Sequence, residues 1–162
     1  MNHTIILWTI RVALLLLWFA WWLQLRRFGR ASAWCFFASW CVYAGHVLAA
    51  FHWFHHWSHH HAVEHTAEVS RRITGISAGY GIYFNHLLTL VWLWITWDAF
   101  QQTGNEPSSS RSIVCRRCAH GYLVFMVIQG AILFAPPSTA VITGLMLAGL
   151  SYVWIKRSRK AA

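Results

Sequence analysis

Acidic side chains are almost missing from this sequence: Glu64, Glu68, Asp98 and Glu106 are the only four in 162 residues, against 13 Lys and Arg. Charged residues of both signs amount to 10% of the chain, whereas a soluble domain carries about a quarter. A water-facing globular surface cannot be built from so little charge. Proline occurs three times, twice in the adjacent pair Pro136-Pro137. The four cysteines are too few and too poorly placed for the disulfide framework of a small secreted domain. There is no glycine-rich phosphate-binding loop, and no Ser-His-Asp set follows from spacing.

What is present is apolar and aromatic: 57% hydrophobic residues and 12 tryptophans. That is the composition of a membrane protein, in which Trp gathers at the headgroup level with one edge of its ring wet. Apolar stretches run over residues 4–25, 33–57, 80–100, 119–135 and 139–155, and about 20 residues suffice to cross a hydrocarbon core. The first is followed by Leu-Arg-Arg-Phe-Gly-Arg instead of a small-residue cleavage site, which reads as a retained span. The Pro-Pro pair reverses the chain between the last two stretches. The expectation is a single domain over 1–162, an all-α polytopic membrane bundle of about five helices.

Orientation follows from the basic residues. Arg26, Arg27 and Arg30, then Arg111, Arg116 and Arg117, then Lys156, Arg157, Arg159 and Lys160 all fall on one side of a five-span bundle. The opposite side has only Arg71 and Arg72, accompanied by Glu64 and Glu68. The positive-inside rule then predicts an external N-terminus and a cytoplasmic C-terminus in a bacterial-type inner membrane. The partners expected are the lipid bilayer and other membrane subunits. Nucleic acid is not expected, because the net charge of +9 lies in short loops and not along a soluble surface.

On the external side lies His52-Trp-Phe-His-His-Trp-Ser-His-His-His-Ala-Val-Glu-His-Thr66, which holds seven of the chain's 11 histidines. No Gly or Pro interrupts residues 32–74 except Gly45, so the second span is expected to continue through this stretch as one helix, with Ser32 as its N-cap. At about 100° per residue, His52, His55, His56, His59 and His60 share one side. His61, Glu64, His65 and Glu68 form a second cluster turned away from it. Neutral imidazole is a ligand for zinc, copper, nickel and iron, and a histidine-rich tract is a compositional signal for metal. The leading expectation is a transition metal, copper or zinc, held by His52, His55, His56, His59, His60, His61, Glu64 and His65, in a metal-handling protein or a subunit of a membrane complex. A belt of interfacial imidazoles needing no metal is the bland alternative.

Two further readings stand beside it. His46, His86 and Arg11 lie at intramembrane depth, where ionisable residues are functional candidates; two histidines on a haem iron with an arginine near the propionates would give a b-type electron carrier. The other begins from two overlapping H-x-x-H-H patterns, His52/His55/His56 and His56/His59/His60. These resemble the histidine boxes of membrane di-iron desaturases and hydroxylases, and the resemblance implies a di-metal oxygenase. In that family the boxes come from separate parts of a longer chain and face the cytoplasm; here they overlap and face outward.

The remaining motifs carry less. Cys115-Arg-Arg-Cys118 is half of a zinc site that Cys35 and His120 would complete, and a reduced pair without metal is the default. Asp98, at the inner end of the third span, is expected to pair with an arginine of the first or third loop. Gly144 and Ala148 form a small-xxx-small pair on the last span. Gly75, Gly79 and Gly81 mark the turn into the third span.

Overall fold

A computed structural model describes residues 2–103, 110–133 and 135–161. Among these residues the chain is entirely helical, without a strand. The elements are α1 (Asn2–Leu25), α2 (Gly29–Trp53), α3 (His59–Thr74), α4 (Gly81–Gln101), α5 (Ser110–Ile128), a π-helical turn (Gln129–Leu133) and α6 (Pro137–Ala161). Two helical segments, Thr4–Leu25 and Gly29–Trp53, are long and apolar enough to cross a membrane; Pro137–Val153 is apolar but shorter. At 1.5 Å per residue the 24-residue α1 is about 36 Å long.

The core is where α1, α2, α4 and α5 meet, around Leu17, Phe36, Trp92, Ile95 and Leu123. The first two helices approach closely because the residues between them are small: Ala13, Ala20, Ala33, Ser32 and Ser39 are all buried. Ser39 Oγ donates to the Ala13 carbonyl at 2.6 Å and Ser32 Oγ to the Ala20 carbonyl at 2.9 Å, the kind of interhelical hydrogen bond that serves where water is absent. Ser32 is therefore an interior residue of α2 and not its N-cap. Outside the core, large apolar side chains such as Leu90, Trp97, Val141 and Leu145 stand more than half exposed on α4 and α6.

The other helices are tied in by polar atoms. Trp40 Nε1 donates to Thr89 O, Trp18 Nε1 to Met146 O and Tyr122 Oη to Phe84 O. Asp98 meets Arg116 Nε at 2.7 Å, with both side chains largely buried, as its position required. Gly144 has nothing within 4 Å of where a Cβ would stand, so this member of the small-residue pair on α6 makes no close approach among the described residues.

The expected continuous helix through the histidines does not form. α2 ends at Trp53, and after Phe54 and His55 the backbone turns left-handed at two consecutive non-glycine residues, His56 (φ 47°) and Trp57 (φ 60°). The Trp57 amide closes the turn on Phe51 O at 3.0 Å. Such residues cost about 1–3 kcal/mol each and persist only where surrounding contacts impose them. Ser58 then caps a new helix, its Oγ accepting from the His61 amide at 3.3 Å, and α3 runs to a left-handed Gly75 (φ 79°). It is an amphipathic helix with Ala62 and Ser70 buried, and Glu68 on the exposed side bridging Arg71 and Arg72.

A candidate histidine site over an interhelical cavity

The break in α2 redistributes the histidines. His55, placed in the turn, points inward and is only 8% exposed. The break lets α3 turn back over it, so that the rings of His65 and His61 stand 5.4 and 5.9 Å from the His55 ring, and His56 stacks on His61 at 6.4 Å. The two clusters expected on opposite sides of one helix thus meet in part: His61 and His65 face His55. The glycines before α4 make this possible. A Cβ on Gly79 would stand 2.9 Å from Val63 Cγ1 and 3.0 Å from the Val63 carbonyl oxygen, and one on Gly81 would stand 3.1 Å from Thr66 Cγ2.

The rest of the expected metal face is dispersed. His52 Nδ1 accepts from Trp57 Nε1 at 3.2 Å. His59 lies 3.4 Å from Tyr83 Oη and stacks on His86. His60 meets Glu64 at 3.3 Å, both side chains well exposed. The overlapping H-x-x-H-H patterns therefore do not surround one centre, because a left-handed turn separates their members. Among the described residues, no three His, Cys, Asp or Glu side chains stand ready as a set to hold a metal ion.

Within the histidine cluster a buried atom lacks a partner. Nδ1 of His55 is sealed from solvent and has no hydrogen-bond partner, a state that costs roughly 1–3 kcal/mol for a buried polar group. Burial, and then the neighbouring imidazoles of His65, His61 and His56, push the His55 pKa below its ordinary value. A neutral ring with an available nitrogen is the form that ligates metal.

Beneath His55 lies a cavity of about 320 Å³ between α1, α2, α3, α4, α5 and the π turn, with His46, His65 and His86 also in its wall. His46 is held from α1: its Nδ1 lies 3.1 Å from both the Ile6 carbonyl and Thr9 Oγ1. A ring nitrogen bound to a carbonyl fixes the tautomer and leaves Nε2 as the free donor atom. Arg11 is not in this wall; its guanidinium donates to Ser138 and Thr139 at the start of α6. The haem-type trio is accordingly reduced to two histidines.

On the other side of the molecule, His120 Nδ1 accepts from Trp21 Nε1 at 3.2 Å, and its ring lies against Phe36. The four cysteines are free. No family model, curated protein or solved structure matches this chain.

Sequence reasoning passed over Trp92 and Tyr43, which stack at 4.8 Å in the cavity wall. The signal was available: Leu88, Trp92, Ile95 and Ala99 recur at intervals of four, three and four residues, the inward stripe of a helix, and all four are buried.

Proposed function

We propose that this chain is a multi-pass membrane protein whose outer end binds a transition metal, copper or zinc, through His55, His61 and His65. The observation that carries the metal reading is the buried, unpartnered Nδ1 of His55 flanked by the imidazoles of His61 and His65. A metal ion would satisfy that nitrogen, and rotation of the His61 and His65 side chains would complete a three-nitrogen set. Two apolar helices of membrane-crossing length, the exposed apolar side chains on α4 and α6 and the one-sided distribution of Arg and Lys support five spans, α1, α2, α4, α5 with the π turn, and α6. In that arrangement α3 lies along the outer surface, as amphipathic helices do. Such a protein handles metal at the membrane face or presents it to a larger complex.

The test is metal content by mass spectrometry of untagged protein. His61→Ala/His65→Ala and His55→Ala should each lose bound copper or zinc, while His52→Ala/His60→Ala should retain it. Equal metal in all three variants, or none in the parent protein after growth with either metal, would defeat the proposal. Haem would show instead as a Soret band that disappears in His86→Ala.

A further inference from the structure

We infer that the cavity beneath His55 is a binding site for the ring of a lipid-soluble quinone. The inference rests on the membrane placement proposed above but not on the metal. Two polar side-chain atoms among the described residues are buried without a partner, His55 Nδ1 and Trp92 Nε1, and both residues line this one cavity. Trp92 is 1% exposed. Its indole N–H can only donate, so the molecule that satisfies it must bring an acceptor. Where His55 Nδ1 is not taken by a metal it can carry the ring hydrogen and donate from the outer end, while the Trp92 N–H is the contact on which the inference rests.

The chemistry of the wall narrows the ligand. Among the described residues no Arg, Lys, Asp or Glu lines the cavity, whose polar side chains include the four histidines with Thr66 and Asn85; without a fixed charge in the wall a neutral molecule is favoured over a charged one. Tyr43 stacked on Trp92, with Phe51 facing His86 at 5.9 Å, makes the walls aromatic, and flat rings pack against such walls. The volume of about 320 Å³ is at the lower end for small-molecule sites, suited to a single- or double-ring compound and small for a tetrapyrrole. A neutral flat ring with a carbonyl acceptor on each of two opposite edges is a 1,4-quinone, and its apolar tail would lie among the bundle's apolar helices. The π turn contributes Gly130 and Ala131 to the wall; π-helical turns often mark functional sites.

The experiment uses the full chain in lipid nanodiscs free of quinone, titrated with a short-tailed 1,4-naphthoquinone, with bound ligand separated from free by filtration. Saturable binding of one molecule per chain, above partitioning into empty discs, is expected. Trp92→Phe keeps the ring and removes the N–H, and should weaken binding about tenfold. Ala131→Leu, at a buried position of the cavity wall, should abolish it by filling the space. Non-saturable uptake by the parent protein, as expected if internal water alone fills the site, overturns the inference, and so does parental affinity in either variant. Metal content measured on the same Trp92→Phe preparation should match the parent, and flotation of the protein with the discs reads the membrane placement separately. A failure of quinone binding is thus distinguishable from a failure of either.

Discussion

Substituting Gly79 with alanine tests the histidine site without touching a histidine. The new methyl group would stand 2.9 Å from Val63 Cγ1, 3.0 Å from Val63 O and 3.4 Å from Ala67 Cβ. Carbon atoms rest at about 3.5–4.0 Å. Val63 Cγ1 can swing away, but the carbonyl belongs to the backbone of α3, so relief requires the helix to lift by several tenths of an ångström. Overpacking of this kind costs about 1–3 kcal/mol. Because His61 and His65 ride on α3, that cost should appear as weaker metal binding, about 5- to 150-fold at 1.4 kcal/mol per decade. Gly121→Ala is the control: nothing lies within 4 Å of its Cβ position, and in a helix interior alanine is favoured by about 0.5–1 kcal/mol. Copper or zinc titration, with thermal melting followed by circular dichroism in detergent, reads both effects. If Gly79→Ala binds metal and melts like the parent, α3 does not bear on the start of α4 as described, and the link between its docking and the site is wrong.

Acid should loosen the turn at His55. Its folded-state pKa is depressed by burial and then by its neighbouring imidazoles, so the unfolded chain takes up the proton more readily. The stabilisation is complete above the ordinary histidine value near 6.5 and is lost as pH falls below it toward the folded-state value. The metal-free protein should melt at lower temperature at pH 5 than at pH 7, and His55→Gln should flatten the difference; an unchanged slope would remove His55 as its source. Glu68 does not confuse this window, because hydrogen bonds from Arg72 and then Arg71 hold its carboxyl below the usual range. For topology, a periplasmic reporter should be active when inserted after Ala62 and silent after Gln102, and the reverse result would place the histidines on the cytoplasmic side.

The positions of the long helices were legible because uninterrupted apolar stretches leave the backbone no other way to satisfy itself. The partner of Asp98 was legible for a similar reason: a carboxylate at the end of an apolar helix needs a cation, and Arg116 was within reach. The end of α2 was not. Trp53 to Ser58 contains neither Gly nor Pro, and the left-handed conformations of His56 and Trp57 arise from burial of His55 and docking of α3, which are tertiary effects. Everything that depended on the register of that helix changed with it. Helical periodicity put His61 and His65 away from His55, whereas the fold brings them against it. Arg11, expected beside haem propionates, has Ser138 and Thr139 as partners, 127 and 128 residues further along, a distance no local pattern spans.

The pairing of α1 with α2 carries a consequence for biosynthesis. These helices precede the other described ones in the sequence, are the two described segments able to enter a bilayer on length and apolarity alone, and satisfy the Ser32 and Ser39 hydroxyls of α2 on the backbone of α1. In the membrane arrangement proposed above, this hairpin can be complete while the rest of the chain is still being synthesised. α4 brings an aspartate whose arginine is supplied by α5, and Arg11 waits for hydroxyls that arrive only with α6. α5 and α6 thus supply partners for polar groups carried by earlier helices. In that arrangement the helices meet their partners in chain order, and circular permutation that moved α1 to the end would leave α2 to enter without the surface it packs on.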